Sequence, residues 1–278
     1  MSAKGVIDMN IEKTFAQELA WGDPIIYEGI VLHPVTVQHM MYFLQCVSVL
    51  QISPMELPDI KYKSMSRLQF ILECIRTYGT AESTPFTDSV PKLFMILMKM
   101  ILGKNQSFGL INPKDHRLDG KIIRIVREEN GNTTELILTP KKFETFRKVV
   151  LIQNGIDISD EELDPIMRRV YYEDMKRIQQ RTGNQSPITD EDKLDLLSLH
   201  NHCQRSDLKS MTIREYTLKI DKLLAKDVYL AQLNGQMSGF VKFKKEPRHW
   251  LIKQTNKEKI LSHFRTEDDI KGLLNDKG

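Results

Sequence analysis

The chain has 278 residues, 41% of them hydrophobic, enough for one large or two ordinary cores without metals or disulfides. With 40 Lys and Arg against 37 Asp and Glu the net charge is +3, too near balance for a polyanion-binding footprint, so nucleic acid is not the default partner. Three cysteines, Cys46, Cys74 and Cys203, have no CxxC spacing and fall in apolar helical patterns, which speaks for a reducing compartment rather than a disulfide framework. No basic n-region or apolar core opens the chain, so no signal peptide is expected.

Residues from about Asn10 to Ala20 suggest a short helix. Gly22-Asp23-Pro24 then leads into a two-strand pattern around Gly29, Ile25-Ile26-Tyr27-Glu28-Gly29-Ile30-Val31-Leu32. After His33-Pro34-Val35, Thr36 stands at an N-cap position ahead of Val37, Met40, Met41, Leu44, Val47 and Gln51, a stripe at helical spacing. Ser53-Pro54 and Pro58 end it. The next helix runs from Met65 to about Tyr78, with Met65, Leu68, Leu72 and Ile75 on one face, Phe70, Ile71 and Cys74 widening it, and Gly79-Thr80 as the stop. Leu93 to Leu102 is apolar apart from Lys99 and is closed by Gly103. It has about half of the ~20 apolar residues a membrane span needs, so a buried helix is expected.

Two β-rich runs, Lys121–Arg127 and Thr134–Leu138, flank Asn130-Gly131, a strong hairpin signal. Thr139-Pro140 starts a helix through Phe143, Phe146, Val149 and Val150 to Gly155. Further helices are expected from Ser159 to about Thr182, from Thr189 to about Cys203, and from Thr212, where Thr212-Ile213-Arg214-Glu215 forms a capping box. In the last of these Ile213, Tyr216, Ile220, Leu223 and Leu224 face inward. A short strand, Gly239 to Lys244, and a charged tail complete the pattern. The expected fold class is mainly α (α+β): an α+β N-terminal domain over 1–115, the hairpin over 116–140, and a helical C-terminal domain over 141–278 with a short terminal strand.

Chemistry-bearing motifs are sparse, and neither a catalytic residue, a cofactor nor a metal is assigned. His200-Asn201-His202-Cys203 places only His200 and Cys203 on one helix face, with no second ligand pair at zinc spacing. The groups Asp160-Glu161-Glu162 and Asp190-Glu191-Asp192 sit where negative charge meets a helix N-terminus. Asp23, His33 and Asp59 are the residues an enzymatic reading would have to bring together. Two segments suit a partner instead. Met95, Met98 and Met100 supply flexible thioethers to a helix that is apolar nearly all round. Phe240, Phe243 and Trp250 are interleaved with Lys242, Lys244, Lys245 and Arg248, as in an edge strand guarded by lysines, a protein-binding strand or a base-stacking surface.

The order of Gly22-Asp23-Pro24, a strand ending in His33-Pro34-Val35, the Tyr42-Phe43 helix and the Met65-Ser66-Arg67-Leu68 helix start resembles proteins encoded in the tail gene clusters of large phages of Gram-positive bacteria. Met211-Thr212, Phe240-Val241-Lys242 and His249-Trp250 extend the likeness, which covers roughly the first 80 and last 90 residues. The resemblance implies a tail-assembly chaperone or minor tail component, not an enzyme. It would act by contacts with tail subunits or a tape-measure-like helical protein, or with further copies of itself. Its place would be the host cytoplasm during assembly or the virion. A virion structural adaptor or an accessory nucleic-acid-binding factor is the alternative.

Overall fold

The computed structural model describes residues 11–78, 89–111, 122–129, 131–181, 189–238, 247–252 and 254–263. The fold is mainly α with two small antiparallel sheets, the α+β class expected. The chain divides into two units, Met1–Ile156 with Lys209–Glu215, and Asp157–Leu208 with Tyr216–Gly278.

In the first unit, α1 (Ile11–Thr14) and α2 (Ala16–Trp21) replace the single expected helix, broken at Phe15. β1 (Ile25–Tyr27) and β2 (Ile30–Leu32) pair antiparallel, with Ile25, Tyr27, Ile30 and Leu32 all buried. Glu28 and Gly29 turn the chain at φ 47 and 84, the two positive values a tight two-residue hairpin requires. Thr36 does not cap the next helix with its side chain. It bridges Thr212 instead, flanked by Val37 N–H donating to Met211 O at 2.8 Å and Ile213 N–H to Val35 O at 2.9 Å. A 3-10 turn over Val37–His39 intervenes, and α3 runs Met40–Gln51. Its buried residues are Met40, Phe43, Cys46, Val47, Val49 and Leu50, so the expected stripe is rotated and Met41 (59% exposed) and Leu44 (42%) point outward.

α4 (Ile60–Lys63) is followed by α5 (Arg67–Tyr78), whose buried residues are Leu68, Phe70, Ile71 and Cys74. The stop expected at Gly79-Thr80 lies outside the described residues. α6 (Ser89–Leu102) ends where Gly103 takes φ 70. Three antiparallel strands follow in the order β3 (Gln106–Ile111), β4 (Ile122–Glu129) and β5 (Asn132–Leu138). The β4–β5 hairpin is the expected one, with Gly131 at φ 80; Lys121 and Asn130 lie outside the described residues. β3 was not expected. α7 (Pro140–Gln153) begins as anticipated, Thr139 Oγ1 accepting from Lys142 N–H, and buries Phe143, Phe146, Val149 and Val150.

The division at Ile156 differs from the boundaries expected at 115 and 140, for a physical reason. At the end of α7, Gln153 Nε2 donates to Leu32 O and Asn154 Oδ1 accepts from Val35 N–H, both at 2.8 Å. About two turns earlier the buried Arg147 donates to Leu50 O near the end of α3. Buried polar groups need such partners, and these tie α7 to the N-terminal elements.

The second unit holds α8 (Pro165–Arg181), α9 (Asp190–His200), α10 (Ile213–Met237, from Tyr216 onward) and α11 (Asn256–His263). Ser159–Glu162 forms a 3-10 turn rather than the start of α8, whose first amides, of Ile166 and Met167, donate to Asp164 Oδ1. α9 carries the capping box of Thr189 with Asp192 and stops at His200, short of Cys203. In α10 Tyr216 and Ile220 are buried, whereas Leu223 and Leu224 are half-buried. α11 was not expected. Its amides at Asn256 and Lys257 donate to Asp157 Oδ2 and Ser159 Oγ. The strand anticipated over Gly239–Lys244, and with it Phe240 and Phe243, lies outside the described residues.

Candidate protein-binding site

α6 is the element that decides how the methionines are used. Val90, Phe94, Leu97, Met98 and Ile101 form its buried face, while Lys92, Met95 and Lys99 are exposed. The helix is therefore one-sided, not apolar all round as the sequence suggests. Met98 is wholly buried, Met100 is half-buried, and Met95 keeps 43% of its surface exposed.

Met95 stands on the lip of an apolar cavity of 270 Å³. α5 and α6 contribute Ile75, Pro91 and Phe94, and the sheet contributes Phe108, Leu110 and Ile123. Phe94 is anchored beneath by Phe143, ring centroids 6.4 Å apart, and Phe143 in turn lies 6.3 Å from Phe146. Ile123 is buried and pairs in register with Leu110, which remains 38% exposed. The cavity thus has a rigid floor and a lip made of Met95 and Leu110. Among the described residues β3 pairs only with β4, so the lip is also an edge of the sheet.

A second, polar recess of 510 Å³ is lined by Val31, His33, Lys104, Gln106, Arg127 and Glu128, among others. Its best hydrogen-bonding groups are engaged internally. Gln106 Oε1 accepts from Val31 N–H while its Nε2 donates to Val31 O and Leu102 O, and Arg127 pairs with Gly29 O and Glu129.

The other candidates are placed as follows. Trp250 is half-buried and stacks on His249, which also meets Tyr229 at 5.3 Å. His200 closes α9, His202 follows at φ 52 and Cys203 is half-buried. Among the described residues no group of three His, Cys, Asp or Glu is positioned to hold a metal ion. Asp160 is buried and accepts from Tyr172 Oη at 3.0 Å; desolvation and that carboxylate push the Tyr172 phenol up to about 12. Glu191 and Asp195 are bridged by Arg205. His33 packs near Gly103, Asp59 caps α4 by accepting from Lys61 N–H, and Asp23 N–H donates to Glu18 O.

Of the site residues, Met95 was legible in the sequence and its partners in β3 were not. Phe108 and Leu110 do alternate with Ser107 and Gly109, a period-two signal, but a short one. The chain matches no family model, no curated protein and no solved structure.

Proposed function

We propose that this chain is a phage tail-assembly protein, a tail-assembly chaperone or minor tail component, that works by binding other proteins rather than by catalysis. The observation that carries this reading is the apolar cavity whose lip, Met95 and Leu110, stays exposed although its floor is part of the core. An exposed apolar site with a rigid base is what a partner's side chain uses, and a thioether on its rim adapts to more than one shape. The tail-cluster resemblance supplies the partner class: tail subunits or a tape-measure-like helical protein, met in the host cytoplasm during assembly or retained in the virion. No described helix is long and apolar enough to cross a membrane.

Co-expression with a tape-measure-like protein from the same gene cluster, followed by purification on a tag carried by this chain, tests the proposal. Retention of the partner is expected, with recovery falling in Met95→Asp while the thermal midpoint stays unchanged. Failure to retain any tail-cluster protein overturns it.

A further inference from the structure

The edge strand beside the cavity has a composition that its own fold does not use. Gly109 lies mid-strand in β3, opposite Arg124. Five other glycines, Gly22, Gly29, Gly103, Gly131 and Gly155, take positive φ; Gly109 does not, and a Cβ there would meet nothing within 4 Å among the described residues. A strand-interior glycine weakens a sheet, and it often marks a place where another backbone comes close. The exposed residues of β3 include no proline or lysine, the usual guards of a free edge, while Leu110 is left exposed.

The size of the site selects its occupant. A cavity of 270 Å³ falls below the roughly 300–1,000 Å³ of small-molecule sites and suits a single large side chain. Six residues of edge span only ~20 Å. Pairing over that length buries well under the ~1,200 Å² of total surface at the low end of stable association, so the edge alone does not hold a second copy of this chain. It does fit a peptide-like segment, whose backbone is read by the row of edge amides and carbonyls and whose alternate side chains are read by the cavity.

We infer that β3 is an acceptor edge, on which an extended segment of a partner chain adds as a further strand and sets one large apolar side chain between Met95 and Leu110, against Phe94 and Ile123. The inference rests on the protein-contact reading above and specifies the conformation captured. A long helical partner would be held here through a stretch not yet folded into helix.

The test uses the full chain and three fluorescein-labelled peptides: one of alternating threonine and leucine, the same peptide N-methylated at alternate residues, and an amphipathic helical peptide of Glu, Ala, Leu and Lys. Anisotropy titrations should show saturable binding of the first, weakened at least ~10-fold by N-methylation, which removes the backbone donors a strand needs. Leu110→Lys and Met95→Asp should each weaken it to a similar degree at unchanged thermal midpoint, and two variants guard against one failing to fold. Absence of binding, equal binding of the N-methylated peptide, or preference for the helical one overturns the inference. So does a concentration-dependent dimer that Leu110→Lys abolishes, which would make a second copy the occupant. A chain that retains a tail protein yet ignores the extended peptide keeps the functional reading and loses the acceptor edge.

Discussion

Two methionines one turn apart on α6 have opposite fates. Met98 is enclosed by the core and Met95 faces outward. Met98→Ala removes buried methylene and thioether contacts and should cost about 2–5 kcal/mol in urea unfolding, whereas Met95→Ala should stay within about 0.5 kcal/mol. Equal losses would place both in the core. A second residue, Glu73, contributes to the acid limb. Its carboxyl is drawn from 4.5 down to about 2, chiefly by hydrogen bonds from Arg76 and Lys61. The folded value lies below the unfolded one, so the stabilisation is complete above about pH 4.5 and is lost as pH falls toward 2. Glu73→Gln should lower the midpoint near neutrality and flatten its decline across that interval, as followed by circular dichroism. An unchanged acid limb would show that solvent screening of the exposed partners Lys61 and Arg76 leaves the triad contributing little.

At the scale of elements, α7 is the joint of the first unit. Asn154 bridges two buried groups, accepting from Val35 N–H and donating to Val150 O at 2.8 Å each. Asn154→Ala leaves the Val35 amide buried without its partner and should cost about 1–3 kcal/mol, measured by chemical denaturation. Where residues act on neighbours in sequence, the elements were readable in advance: Thr139-Pro140 opening α7, Thr189 with Asp192 opening α9, and the β4–β5 hairpin. What escaped depends on distant residues. β3 is a strand because Phe108 and Leu110 find Ile125 and Ile123 across the sheet, and Thr36 is a bridge because Thr212 lies opposite. α11 likewise is seated by Asp157 and Ser159, about a hundred positions earlier. The candidate site was half legible for the same reason: α6 announces itself by its own pattern, and the strand that completes the cavity does not.

At the scale of the whole molecule, Lys209–Glu215 belongs to the first unit although Asp157–Leu208 of the second precedes it in sequence. Ile213 is buried there, its amide donates to Val35 O, Met211 O accepts from Val37 N–H, and Arg214 donates to Ile152 O at 2.6 Å. A chain ending at Ile156 lacks all of this. Rejoining residues 209–215 through a glycine-serine linker in place of 157–208 should recover about 3–5 kcal/mol, read from the urea midpoint, on the basis of one buried isoleucine and three hydrogen bonds. No recovery would mean the segment is carried rather than required.

That threading also sets a clock. A ribosome adds about 5–20 residues per second, so the 59 residues between Ile156 and Glu215 (215 − 156) keep the first unit waiting for roughly 3–12 s. During that interval the segment that joins the two-stranded hairpin to α3 lacks the chain that later bonds to Val35 and Val37. Newly made copies therefore pass through a period in which their amino-terminal half is translated but unfinished; a slow codon before residue 215 would lengthen that vulnerable phase, and a premature stop there would make it permanent.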